Sequence, residues 1–188
     1  FISKTDWRIK KIYRNKSYTN TKPRIELLTA MSEAKGIIHM GAHRGTEAAI
    51  YNWLNKKTIW FEANPKIIND LRDNVLQFTN QKVIHSVLSD KDDEIIDFNI
   101  SSNDGASSSL FLFGEANNIH QGIKMTHSIK LKTSTIDSIV NKNNINIIDY
   151  DFWVIDLQGA ELKALKGAQN SLKSCRYIHV EISKGDVY

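Results

Sequence analysis

Five short runs rich in apolar, β-branched and aromatic residues mark the chain from residue 36 onward: GIIHMGA (36–42), TIWFEAN (58–64), KVIHSVLSD (82–90), FWVIDLQG (152–159) and YIHVEIS (177–183). None alternates cleanly between apolar and polar positions, which is the pattern of strands covered on both faces in a parallel sheet. Between them the spacing predicts helices at about 46–56, 65–78 and 160–173. The second opens with Asn64 as N-cap and Pro65 at the first helical position. The third carries an apolar stripe of Leu162, Leu165 and Leu172, weakened by Gly167 in its middle. Ahead of all these, Ile25, Leu28 and Met31 recur at helical spacing and predict a short amphipathic helix that ends before Gly36. Strand alternating with helix predicts an α/β sheet with right-handed crossovers.

One region breaks the rhythm. From Asp93 to about Thr133, the runs DEIIDFNI, SSLFLF and SIKLKTS read as strands joined by polar loops, with no helix of comparable strength between them. They predict an antiparallel insertion beside the parallel sheet. No internal repeat is evident, and the Asn- and Lys-rich stretch at 141–146 reads as a loop.

The 188 residues suffice for one domain with a real core. The net charge of +4 is unevenly placed: eight basic residues and one acid lie up to Arg24, which leaves 17 basic against 20 acidic residues in the remainder. The basic character therefore belongs to a leader or linker, 1–24, and the domain proper spans 25–188. Trp7, Tyr13 and Tyr18 are interleaved with the leader's charges, a composition that suits nucleic acid, but a solvated segment that docks or links is the preferred reading. No apolar run reaches the roughly 18 residues of a membrane span, and no signal-peptide centre is visible, so the chain reads as soluble and cytoplasmic. Its start at Phe1 suggests a piece of something longer. The single cysteine, Cys175, excludes an internal disulfide and reads as a buried, inert thiol.

The loop after the first strand, MGAHRGTE, carries the chemistry. Gly41 lets the chain turn off the strand, and Gly45 lets a ligand or the following backbone come close. Open α/β sheets bind ligands beyond the carboxyl ends of such strands. The spacing is not the Gly-x-Gly-x-x-Gly of a dinucleotide fold, Glu47 would repel a phosphate, and no P-loop Gly-Lys-Ser/Thr follows. A nucleoside with a cationic or zwitterionic arm suits the loop, and S-adenosylmethionine is that ligand. Glu62, about twenty residues beyond Gly41, is placed to accept from two ribose hydroxyls, and Ser89 or Asp90 to accept from an adenine amino group.

IIHMGAHRGTE, WFEANP, VLSD and VIDLQGAELKALKGA followed by IHVEIS resemble the FkbM-type S-adenosylmethionine-dependent O-methyltransferases, from about Ile37 to Ser183. The resemblance implies a Rossmann-like class I methyltransferase fold, a mostly parallel sheet with helices on both faces. It implies cofactor binding at Gly41, Ala42, His43, Gly45, Glu62, Ser89 and Asp90, with Thr46 and Ala63 beside them. It implies an acceptor hydroxyl on a carbohydrate, glycan or similar polyol, and with the ragged start it suits fusion to other glycan-modifying domains. The chain ends soon after the fifth run, so either the insertion supplies the usual further antiparallel pair or those strands lie beyond this piece.

Methyl transfer to an aliphatic hydroxyl is helped by a base. Asp156, ending the fourth strand of the parallel sheet, is the first candidate and Glu181 the second. Asn103, Ser107, Ser108 and Ser109 offer the dense donor and acceptor set that a sugar demands, with Gln158 on the other side and Gly105 allowing the loop to move. His43, His85 and His179 lie in or beside strands without metal-ligand spacing, so no metal is expected. A nucleic-acid acceptor, as in an RNA or cap methyltransferase, and a non-catalytic binding module are the rival functions.

Overall fold

The computed structural model describes residues 22–112 and 122–181. The readings placed on Trp7, Tyr13 and Tyr18 lie outside the described residues, as does the end of the SSLFLF run.

Five strands form one parallel sheet: β1 (Gly36–Met40), β2 (Lys57–Glu62), β3 (Gln81–His85), β7 (Phe152–Ile155) and β8 (Tyr177–Val180), in the order β3-β2-β1-β7-β8. After β3 the chain returns to place β7 against the other edge of β1, so strand order reverses between β1 and β7. Alternate residues feed two cores. Ile38, Met40, Ile59, Phe61, Trp153 and Ile155 face one side, and Ile37, Trp60, Phe152 and Val154 the other. Both faces are apolar because helices cover both, which is why the strands show no polar alternation.

On one face pack α1 (Lys22–Glu33), α2 (Ala48–Trp53) and α3 (Ile68–Val75); on the other pack α4 (Ile136–Lys142) and α5 (Glu161–Lys166). The parallel sheet with helices on both faces is the Rossmann-like arrangement that the alternation predicts. The helices are shorter than periodicity suggests. Asn64 caps an opening turn, its side chain accepting from Lys66 N at 3.0 Å, and the regular helix begins only at Ile68. Gly167 ends α5 rather than interrupting it, and Leu172 belongs to a separate 3-10 helix, Ser171–Ser174. In α1 the predicted stripe is mostly outward: Ile25 is 60% and Leu28 42% exposed, whereas Met31 and Ala34 are buried, with Leu27 and Ala30 packed against the same core. Helix α4 has no counterpart among the predicted elements, because only Ile136, Ile139 and Val140 mark its apolar face.

The insertion forms a small second sheet, β4 (Val87–Leu88), β6 (Met125–Ser134) and β5 (Ile95–Ser101), in that order. β5 and β6 are antiparallel, as predicted, and β4 joins β6 in parallel. The run 82–90 is therefore two strands, which part at Ser86. SSLFLF is not a strand over its described part: only Ser109 bridges, to Asn99.

Candidate active site

A cleft of about 560 Å³, open in part to solvent, lies beyond the carboxyl ends of β1, β2 and β7. This is the crevice at a reversal of strand order where open α/β sheets take ligands. Gly41, Glu62 and Asp156 line it at the ends of their strands, and Ser86, Val87 and Leu88 close one side. Phe61, Phe98, Leu110 and Leu157 give it apolar walls.

Local backbone geometry explains the residues after β1. Gly41 has φ 81°, and a Cβ there would overlap the Asp156 carbonyl oxygen. Only glycine lets β1 and β7 end this close together. Gly41 N and Ala42 N both donate to Phe61 O at 3.0 Å, which aims the loop toward β2. His43 follows with φ 47°, a left-handed conformation uncommon outside glycine.

Glu62 is buried, and both its carboxylate oxygens are engaged by backbone. Oε2 accepts from His43 N and Oε1 from Asn64 N, each at 2.7 Å. Burial pushes its pKa above the usual carboxylate range, while the backbone hydrogen bonds, from Asn64 and then His43, pull it back. An ionised carboxylate has about four lone-pair sites, so acceptor capacity remains toward the cleft that Glu62 lines.

The insertion loop roofs the site. Asp104 pairs with Arg44 Nη1 at 2.5 Å, and its carbonyl lies 3.1 Å from His43 Nε2. Arg44 Nε also reaches Asp70 of α3 at 3.0 Å. Gly105 has φ 80°, a left-handed conformation that favours glycine, where the loop sits against the Asn64 side chain at the end of β2. At the far side Ser109 Oγ donates to Gln158 O at 2.6 Å. The loop thus spans from the glycine turn to the turn after β7.

That second turn is built by the DLQGAE stretch. Gln158 (φ 53°) and Gly159 (φ 101°) are both left-handed, and Glu161 Oε1 accepts from Leu157 N at 2.9 Å and Gly159 N at 3.1 Å. Strained backbone of this kind is held only where the surroundings over-determine it. Gln158 Nε2 donates to Asp156 Oδ1 at 2.5 Å. Burial, and next the charge of Glu181, push Asp156 up to about 7.

Of the residues singled out from sequence, Gly41, His43, Glu62, Ala63, Ser108, Asp156 and Gln158 line the cleft. The others sit elsewhere. The Ala42 side chain is in the core, Thr46 is exposed, and the space that a Gly45 Cβ would take is filled by Leu71 Cδ1 at 2.5 Å. Gly45 therefore leaves room for Leu71 of α3. Ser89 is buried and donates to Asp90 Oδ1 at 3.1 Å, and Asp90 faces Lys163 at 3.7 Å; neither lines the cleft. Asn103 and Ser107 bond to each other and to Ser101, so they shape the loop. Glu181 lies outside the lining, but its charge acts on Asp156.

Sequence reasoning missed Ser86 and Arg44. Ser86 Oγ is buried without a hydrogen-bond partner among the described residues, on the cleft wall. Its signal was the polar residue interrupting an apolar run. Arg44 carried none, since its partners are 26 and 60 residues away in sequence. His39 is buried against Trp60 and Tyr51, and among the described residues no His, Cys, Asp and Glu group has the arrangement of a metal site.

Residues 39–188 match the methyltransferase FkbM domain. The chain belongs to the FkbM methyltransferase family. A curated relative in which methyl transfer is named is the 2-O-methyltransferase NoeI of Sinorhizobium fredii, 26% identical over 160 residues. That alignment covers 81% of this chain and 65% of the relative, so the chain spans just under two thirds of the relative's length. No solved structure matches the chain. In this FkbM domain, the stretch at 152–167 is the element that sets Asp156, Gln158 and the first turn of α5.

Proposed function

We propose that this FkbM domain is an S-adenosylmethionine-dependent O-methyltransferase whose acceptor is a hydroxyl of a carbohydrate or similar polyol. One observation carries the reading: a buried Glu62, held by two backbone N–H groups, faces a cleft that also contains Gly41 and Asp156. When bound, the cofactor would supply an electrophilic methyl group on a positively charged sulfur.

The residues fit that cofactor. Glu62 keeps acceptor capacity beyond its backbone bonds, the requirement for holding ribose hydroxyls. The Ser86 hydroxyl, without a hydrogen-bond partner among the described residues, lies among Val87, Leu88 and Phe98, a mostly apolar wall that suits a planar base. This assignment moves the base-contacting role from Ser89 and Asp90 to Ser86. Asp156 stands at the end of β7, where an anionic carboxylate attracts a sulfonium and accepts a proton from an attacking hydroxyl. The loop over the cleft, with Ser108 in its lining, aligns the acceptor, and alignment is the main requirement of an in-line displacement.

The relative's name supports transfer to oxygen. The sugar-like acceptor rests on the hydroxyl-rich loop and on that name. A cytoplasmic setting belongs to the same proposal; no described helix is long and apolar enough to cross a membrane. Calorimetry with S-adenosylmethionine and S-adenosylhomocysteine tests the cofactor, and a panel of mono- and oligosaccharides scored for S-adenosylhomocysteine release tests the acceptor. No heat with either nucleoside would overturn the reading. Turnover on RNA with steep salt dependence, and none on saccharides, would replace the acceptor class.

A further inference from the structure

Asp156 and Glu181 follow neighbouring parallel strands. β7 and β8 pair Ile155 with Val180, and Glu181 N donates to Ile155 O at 3.1 Å, so the two side chains leave adjacent strand ends. The two carboxyl groups act on each other directly across the strand pair. Two ionised carboxylates at adjacent strand ends repel each other and contain no donor, and one proton shared between them relieves that repulsion. Gln158 Nε2 donates to Asp156 Oδ1, which fixes the orientation of the Asp156 carboxyl within the cleft.

We infer that Asp156 and Glu181 act as one proton-sharing carboxyl pair, in which Asp156 receives the acceptor's proton and Glu181 is the positioning residue that holds the shared one. The catalytic part of this inference rests on the methyl-transfer reading above. As the acceptor oxygen takes the methyl group, its proton passes to the singly protonated pair. The pair then holds two protons and no charge, and one proton returns to water through Glu181, which is solvent-exposed.

The surroundings favour a pair that binds a proton at neutral pH. Burial acts first on Asp156, then the Glu181 charge; Glu161 in the first turn of α5 adds to both, and the Gln158 hydrogen bond opposes them. His179 on β8 feels the Glu181 charge, and His43 faces the same cleft from the glycine loop. β1 contributes only backbone here, Met40 O accepting from Asp156 N at 3.0 Å. Like charges at one site raise one pKa strongly, and the protons then belong to the pair.

The test is carbon-13 NMR titration of the chain labelled at its Asp and Glu carboxyl carbons, with no cofactor or acceptor added. In the native protein the Asp156 carbon is expected to titrate at about 7. In Glu181→Gln, loss of the neighbouring charge should lower the Asp156 midpoint by at least about one unit. A native Asp156 midpoint near the ordinary value of about 4, or a midpoint unmoved in Glu181→Gln, overturns the pair. Should that variant not fold, the native titration decides alone. Calorimetry on the same sample separates the two readings: a neutral midpoint with no cofactor heat removes the catalytic role and leaves the pair, whereas cofactor heat with an ordinary midpoint removes the pair and leaves methyl transfer.

Discussion

The His43 backbone N–H donates to Glu62 Oε2 at 2.7 Å across 19 residues of sequence. This bond locks the turn after β1 to the end of β2 and orients a carboxylate that also receives Asn64 N. The carboxylate at the cleft and the loop geometry are therefore one construction.

Replacing Glu62 by Gln turns one acceptor oxygen into a donor, so one of the two backbone N–H groups loses its partner. Hydrogen bonds to charged groups contribute about 1.5–3 kcal/mol, and S-adenosylhomocysteine affinity is expected to fall roughly ten- to 150-fold by calorimetry. Affinity within about threefold of native would remove Glu62 from the site.

Ser86→Ala separates binding from stability. Its hydroxyl has no described partner to lose, so the denaturation midpoint should not fall. Cofactor affinity should weaken by about three- to tenfold, the net value of one neutral hydrogen bond, roughly 0.5–1.5 kcal/mol. Equal affinity in both proteins would place the base elsewhere.

Gly41→Ala should be among the most destabilising single changes in the chain. The new Cβ overlaps the Asp156 carbonyl, and φ is 81°. The left-handed conformation alone costs about 1–2 kcal/mol, and the backbone clash adds to it. Gly122→Ala is the control: φ is 84° but nothing among the described residues lies within 4 Å, so only the conformational cost applies. Urea unfolding of both variants checks the difference; equal losses would contradict the close approach of β1 and β7.

His39 predicts acid lability. Burial, and next the His179 charge, lower its pKa from 6.5 to about 3, so the folded protein keeps it neutral where the unfolded chain protonates it. The unfolded state binds the extra proton only below about 6.5, so His39 contributes nothing to the pH dependence above that and costs stability progressively below it. The slope is up to about 1.4 kcal/mol per pH unit. Unfolding free energies at pH 7, 6 and 5 should show the decline, and His39→Gln should flatten it; parallel curves would mean that other groups cause the loss.

Cys175 is buried, its Sγ donates to Tyr177 O at 3.2 Å, and burial pushes its pKa up to about 12. Thiol reagents at pH 8 should leave it unmodified in the native state and label it fully in denaturant. Rapid native labelling would contradict its packing.

The alternation of strand and helix, the place of the glycine turn and the positions of Glu62 and Asp156 at strand ends were legible because each depends on local sequence: short doubly buried apolar runs, Gly41 at a strand end, an acid closing a strand. Other placements were not legible from local sequence. Asn64 caps an opening turn as expected, but the regular helix α3 begins only at Ile68. Ser89 and Asp90 look like the end of the third strand of the parallel sheet, yet that sheet lets the chain go at His85 and β4 joins the insertion. Asn103 and Ser107 look like sugar ligands, yet they satisfy each other and Ser101.

By itself the sequence determined the fold class, the family resemblance and which strand ends carry acids, since apolar periodicity and turn chemistry are properties of neighbouring residues. Only the tertiary structure decided which polar groups face the cleft. Arg44 meets Asp104, Ser109 meets Gln158 and Asp156 meets Glu181 over long separations. Such partners are chosen by how the sheet and its insertion pack, and hydrogen bonding, which acts over about 3 Å, responds to that packing alone.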